Sequence, residues 1–238
     1  MRAILPAAGL GSRMSALTDG GSKEMLPLGG RPVIAWVIQE AKDSGAEEVI
    51  VISAKGKADL NAYLDTQPVT VMMQESPIGL GPAVALALEA ETCMILLPDS
   101  TFSPASPALR LAEAVREGVD LAIAFRKIPD SQVSRYGIAE ERDGVLAGLV
   151  EKPSLDEAPS RWAVNGRYAF SATSSQNMRR LIEESLPLPG QPELPLTPAI
   201  QALLKTGAKG GLIICSEEET RHDCGSPEGY LAAKEVFG

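Results

Sequence analysis

Three short stretches of this chain carry residue types suited to phosphate chemistry. The first is Leu5-Pro6-Ala7-Ala8-Gly9-Leu10-Gly11-Ser12-Arg13, a glycine-bearing loop that follows an apolar run. Such a loop can turn successive backbone N–H groups toward phosphate oxygens, because glycine permits positive φ angles and a close approach to a ligand. Arg13 adds a positive fork. The second stretch, Gln74 to Ala83 (QESPIGLGPA), sets an amide with two donors and an acceptor next to Gly79 and Gly81, and such an amide can match the imide face of a pyrimidine. The third is Asp99, which follows the apolar run MILLP. A carboxylate at the carboxyl end of a parallel strand stands where ligands of open α/β sheets gather, and beside phosphates it makes sense chiefly as a Mg²⁺ ligand. Each stretch also has a plain alternative: a βα turn, a Ser-Pro-Ile-Gly turn, and a cap made with Ser100.

Other chemistries find less support. A dinucleotide fingerprint needs a third small residue where Met14 stands and an acid where Ser53 closes the second strand. A Walker loop needs Gly-Lys-Ser/Thr, which is absent. His222 is the only histidine and has no serine or cysteine in a nucleophilic context, so no triad is encoded. Cys93, Cys215 and Cys224 form an odd set without a Cys-x-x-Cys pair, which points to neither a disulfide framework nor a zinc site. Cys93 and Cys215 lie in the apolar runs CMILLP and GLIIC and read as buried thiols.

The elements that must position these residues can be traced from hydrophobic periodicity. Apolar β-rich runs alternate with amphipathic stretches: Ala3 to Pro6, Pro32 to Ser44, Val49 to Ser53, Asp59 to Leu64, Val69 to Met73 and Gly81 to Glu91. The order is β-α-β-α-β-α. It continues with a strand at Met94 to Pro98, a helix at Pro107 to Glu117 and a strand at Leu121 to Phe125. Near-continuous apolar strands are expected where helices cover both faces of a sheet, so a doubly wound, mostly parallel mixed α/β sheet follows. After Arg126 the pattern becomes α+β. YGIAEE and VLAGLVEKP read as a hairpin turning at Arg142 to Gly144, and RWAVNGRYAFS as a further strand. Leu186 to Pro198 carries five prolines and reads as a loop, with Pro198 opening a helix into AIQALLK. The strand GLIIC precedes a last helix with Ser226 as N-cap and Pro227 in its first turn.

Composition bounds the rest. The chain has 238 residues, 45% hydrophobic and 22% charged, which suits one domain over residues 1–238, its halves being 1–130 and 131–238. A net charge of −9 disfavours nucleic acid and anionic membranes as partners. No run approaches the roughly 18 apolar residues that span a bilayer, and the N-terminal apolar stretch is broken by Pro6 and glycines with no cleavage pattern after it. A soluble, cytoplasmic protein is the expectation.

Taken in order, LPAAGLGSRM, SKEMLPLGGRPVIAWVI, GLGPAV, LPDS, VEKP, NGRYAF and HDCGSPEGYLAA resemble the bacterial sugar-nucleotide pyrophosphorylases, most closely the UTP–glucose-1-phosphate uridylyltransferases. The resemblance spans nearly the whole chain. It implies that Ala8, Gly9, Gly11, Arg13 and Lys23 meet the triphosphate of UTP, and that Gln74, Gly79 and Gly81 read the base. It further implies that Asp99 and Asp223 hold Mg²⁺, and that Gly137, Glu151, Asn165 and Gly166 hold the sugar of glucose 1-phosphate while Lys152 meets its phosphate. Residues 1–130 would then form a nucleotide-binding half and 131–238 a sugar-binding half of a Rossmann-like nucleotidyltransferase fold, with homo-oligomerisation possible. The reaction implied is in-line attack of the sugar phosphate on the nucleotide α-phosphorus, with pyrophosphate leaving and no covalent enzyme intermediate. The alternatives are a thymidylyltransferase or other sugar-1-phosphate nucleotidyltransferase, and a non-catalytic nucleotide-sugar binder. The chain departs from the resembled enzymes at Thr18-Asp19, where they usually carry Thr-Lys, and at Asn165, where an apolar residue is more common.

Overall fold

The computed structural model describes residues 1–9, 11–76, 78–185 and 194–238. From the N-terminus come β1 (Arg2–Pro6), α1 (Ser15–Thr18), the short strands β2 (Pro27–Leu28) and β3 (Arg31–Pro32), α2 (Val33–Asp43), β4 (Glu48–Ser53), α3 (Ala58–Leu64), β5 (Thr70–Met73), α4 (Leu80–Ala85) and β6 (Cys93–Leu96). There follow β7 (Ser100–Pro104), α5 (Ala108–Arg116), β8 (Leu121–Lys127), the hairpin β9 (Gly137–Arg142) and β10 (Val145–Glu151), β11 (Trp162–Phe170) and α6 (Ala172–Glu184). The chain ends with α7 (Thr197–Lys205), β12 (Gly210–Ile214), β13 (Glu219–Asp223) and α8 (Pro227–Phe237).

Nine strands form one mixed sheet in the order β10-β9-β11-β6-β1-β4-β5, with β8 paired to β11 and β12. The strands from the first part of the chain, β6, β1, β4 and β5, are all parallel. β11 joins them to the rest by running antiparallel to β6, β8 and β9. Alternation along each strand explains the unbroken apolar runs. Ile4, Ile50, Ile52 and Ile95 point to one face, under α4, α6 and α7, where Val84, Met178, Ile182, Ile200 and Leu203 meet them. Their neighbours Ala3, Leu5, Val49, Val51, Met94 and Leu96 point to the other face, against Ile34, Val37, Leu60, Leu111 and Val115 of α2, α3 and α5. The sheet is thus wound on both faces, with its parallel strands ending on one edge beneath the phosphate-type loops.

Three local expectations change. The helix expected over Gly81 to Glu91 stops at Ala85; beyond it Leu88 is fully buried and its carbonyl accepts from Arg179 of α6. α6 was not legible as a separate helix, although Ser171 caps it by accepting from the Ser174 N–H. β7 and β13 pair with each other in a separate antiparallel ribbon, and their polar sequences carry no strand alternation. Of the proline-rich loop, residues 186–193 lie outside the described residues; Leu194 to Leu196 are irregular, and Thr197 and Pro198 already belong to α7. Among the described residues, no helix is long and apolar enough to cross a membrane.

Candidate active site

At the carboxyl ends of β1 and β6 lies a cleft of about 570 Å³, lined by Ala8, Gly9, Gly11, Arg13, Lys23, Gln74, Gly79, Asp99 and Lys152. β1 delivers the loop: the Ala7 N–H donates to Ile52 O at 2.8 Å, and the chain then breaks from the sheet. Gly11 sits at φ 64°, a left-handed conformation that favours glycine, and the Lys23 side chain packs against it. Lys23 Nζ reaches Asp99 Oδ2 at 3.1 Å. Burial works to lower the Lys23 ammonium, but the charges of Asp99 and Glu24 and the hydrogen bond to Asp99 together outweigh it, and the group ends above its usual value. Burial would likewise raise Asp99, yet Lys23 and Arg221 beside it hold its carboxyl at about 2.

The turn that carries Lys23 is anchored from α3. Asp59 accepts from the Ser22 N–H at 2.8 Å and the Ser22 hydroxyl at 2.6 Å. The buried Lys57 Nζ lies 2.7 Å from Oε2 of Glu24, itself a buried acid on the cleft wall. On the opposite wall, Gly79 adopts φ 123°, and a Cβ there would meet Leu194 backbone atoms at 2.6 and 2.7 Å. The Leu194 N–H donates to Ile78 O and its carbonyl accepts from the Gly81 N–H, both at 3.1 Å, so Gly81 shapes this wall without lining the cleft. Gln74 is buried beside them, its amide 3.5 Å from Gly79 O.

A second compartment of about 200 Å³ continues from the first through the shared residues Leu80, Leu97 and Asp99. Gly137, Glu151 and Gly166 line it, with Tyr136, Val164, Thr197 and Arg221. Glu151 ends β10, and its Oε2 accepts from the Thr197 hydroxyl at 2.5 Å. Gly137 faces that pair, where a Cβ would crowd Thr197 Oγ1 at 3.2 Å. Gly166, at φ 76°, bulges β11 against Leu97, whose N–H donates to its carbonyl at 3.0 Å. Lys152 takes a positive φ of 45° just before Pro153 and lines the wall of the first compartment, while its Nζ lies 3.6 Å from Oε1 of Glu151 in the second.

A profile of the nucleotidyl transferases matches residues 2–236. The chain belongs to that family. The UTP–glucose-1-phosphate uridylyltransferase of Bacillus subtilis is 29% identical to it over 271 aligned positions, covering 99% of this chain and 90% of the relative. A UDP-glucose pyrophosphorylase crystallised with UDP-glucose superposes with a TM-score of 0.84 at 25% identity, covering 99% of this chain and 97% of that one. A Bacillus anthracis protein assigned as a glucose-1-phosphate thymidylyltransferase, solved with sucrose, superposes at 0.83 over 100% and 95% of the two chains; at 22% identity it shares the fold alone.

Within this nucleotidyl transferase, two sequence-derived site residues sit differently from expectation. Val164 and Gly166 line the second compartment, but Asn165 between them does not; strand alternation sends its side chain to the other face, where Nδ2 lies 3.2 Å from Cys215 Sγ. Asp223 is brought beside the site because β13 pairs with β7, setting Asp223 against Ser100 and the Cys224 N–H on the Asp99 carbonyl at 2.8 Å. Its own oxygens are engaged, Oδ1 by Arg221 at 3.3 Å and Oδ2 by the Ser226 hydroxyl at 2.5 Å. The fit to Mg²⁺ rests on Asp99, whose Oδ1 is buried without a partner. Among the described residues no group of three His, Cys, Asp or Glu could hold a metal.

Sequence reading passed over Glu24, Thr197 and Arg221, whose signal was weak because their partners lie far away in the chain. Asp19, the acid in the phosphate-loop region, is exposed at φ 46° after α1 and does not line the cleft. His222 packs edge-on against Phe237, 5.2 Å between ring centroids.

Proposed function

We propose that this protein transfers a uridylyl group from UTP to glucose 1-phosphate, releasing pyrophosphate. The observation that carries the reading is the pair of compartments joined at Asp99: a glycine-walled cleft with Arg13, Lys23 and Lys152, opening into a smaller one floored by Glu151. Likeness to uridylyltransferases at about 29% identity supports the choice of substrates.

The Gly9–Gly11 loop and Arg13 receive the β- and γ-phosphates through backbone N–H groups and a guanidinium. Gln74 and the backbone about Gly79 meet the base edge. Glu151, steadied by Thr197, accepts hydrogen bonds from neighbouring sugar hydroxyls. Lys23 and Lys152 offset the charge that brings two phosphates together. An oxygen of the sugar phosphate, already an anion at neutral pH, attacks the α-phosphorus; a new P–O bond forms, the bond to the β-phosphate oxygen breaks, and pyrophosphate leaves with that electron pair. No side chain has to act as nucleophile, so the rate comes from positioning and charge neutralisation. Mg²⁺, held by Asp99 with Asp223 beside it, supplies charge neutralisation when bound.

The test is pyrophosphate release across four nucleoside triphosphates and several sugar 1-phosphates. UTP with glucose 1-phosphate is expected to give the highest kcat/KM; a preference for dTTP or for another sugar would replace the substrates and keep the reaction class.

A further inference from the structure

A sugar 1-phosphate brings a dianion into the smaller compartment, and Lys152, which lines the larger one, approaches it only through Glu151, its Nζ 3.6 Å from Oε1. Among the described residues, the cationic side chains that line the smaller compartment are Arg135 and Arg221. Arg135 is exposed, whereas the Arg221 side chain retains only 14% of its surface. The pairing of β13 with β7 places Arg221 opposite Phe102, two positions from the Asp223–Ser100 pair and hence close to Asp99.

The Arg221 guanidinium is incompletely used. One nitrogen contacts Asp223 Oδ1 at 3.3 Å, while the Nε–H is buried and meets no acceptor. Behind it Arg126, whose guanidinium carbon lies 5.1 Å from the centre of the Tyr136 ring, also has a buried Nε–H without an acceptor. Burial lowers the Arg126 guanidinium, and the like charge of Arg221 adds to that effect. Buried N–H donors without partners are rare, and neighbouring guanidinium groups are stabilised by an anion. On the same wall Asp99 Oδ1 is a buried acceptor without a donor. The orphaned donor of Arg221 and the orphaned acceptor of Asp99, both on residues that line the smaller compartment, match a phosphate and its metal cation.

We propose that Arg221 binds the phosphate of the sugar 1-phosphate, its incompletely paired guanidinium donating from the wall of the smaller compartment close to Asp99. The assignment rests on the reaction class proposed above. It sets Arg221 beside Lys152, whose Nζ lies 3.6 Å from Glu151 Oε1, as a second cation on that phosphate.

The full-length protein and its Arg221→Gln and Arg221→Lys variants are titrated calorimetrically with glucose 1-phosphate, and initial rates are measured with each substrate and Mg²⁺ varied in turn. Loss of a charge-assisted hydrogen bond in Arg221→Gln is expected to weaken glucose 1-phosphate about 10- to 100-fold. Its KM for UTP and its Mg²⁺ requirement should stay within about twofold, with Arg221→Lys falling between wild type and the glutamine variant. If Arg221→Gln does not fold, Arg221→Lys carries the comparison, because it keeps the charge beside Asp223 and loses the Nε–H. Unchanged glucose 1-phosphate affinity overturns the assignment. So does a raised Mg²⁺ requirement or an equal loss of UTP, either of which would mean that Arg221 acts through Asp223. Absence of turnover by the wild type with every substrate pair overturns the reaction class instead, and the titration still judges Arg221 separately.

Discussion

At the scale of single residues, Asp99 concentrates the physics of the site. It caps an apolar strand, pairs with Lys23, and keeps one buried oxygen without a partner. Asp99→Asn is expected to lower kcat by about 10²-fold or more, the size of effect seen when one electrostatic element of a transition state is removed; steady-state kinetics at saturating Mg²⁺ would show it. The same substitution should alter acid stability. The carboxyl drops from an ordinary 3.8 to about 2 in the folded protein, so its stabilising contribution is present above the unfolded value and fades as pH falls toward the folded one. Between roughly pH 4 and pH 2 the variant should therefore lose stability less steeply than the wild type, as measured by denaturant titration at each pH. Gln74, Glu151 and the loop glycines were legible from their types and order. Arg221 and Thr197 were not, because a lone arginine or threonine acquires meaning only from what folding sets beside it.

At the scale of elements, the strand ends depend on a buried arginine. Arg167 on β11 has no exposed surface, and all of its nitrogen donors are engaged. It grips Glu40 of α2 at 2.6 and 2.7 Å, and the carbonyls of Leu97, Gly166 and Ser100 at 2.8 to 3.0 Å. The segment that carries Asp99 is thus tied on both sides to a helix from the other face of the sheet. Glu40→Ala leaves the guanidinium buried and uncompensated, which should cost about 3 to 5 kcal/mol, readable as a lower urea midpoint. Activity should fall beyond the loss of folded protein, since Asp99 would lose its bracing. The doubly wound sheet followed from alternation along β1, β4 and β6, where every position faces a helix layer. The β7–β13 ribbon escaped notice because its strands are polar and distant in sequence, and that ribbon is what carries Asp223 and Arg221 to Asp99.

At the scale of the whole molecule, a chain of net charge −9 gathers Arg13, Lys23, Lys152 and Arg221 around one cleft system. Cations gathered in one cleft give it a local positive potential that favours an anionic ligand. Ligand binding should therefore report directly on the fold: UTP with Mg²⁺ at 100 times its Kd should raise unfolding free energy by about 2.7 kcal/mol, seen as an upward shift of the thermal midpoint. Chelation of Mg²⁺ should remove most of that shift, and purine nucleotides should give less of it at equal concentration. A shift insensitive to both would set aside the metal-assisted pyrimidine site.

Periodicity and motif order determined the class of fold, the glycine loops that line the cleft and the acid at the end of β6, since these depend on neighbours within a few residues. Folding determined which residues share a compartment. The direction of Asn165 was set by strand alternation across the bulge of β11, and the placement of Lys152 by a left-handed turn before Pro153. The union of Arg221 with Asp99 came from pairing β13 with β7. Contacts between residues more than a hundred positions apart depend on sheet order and register, and neither is written in any short stretch of sequence.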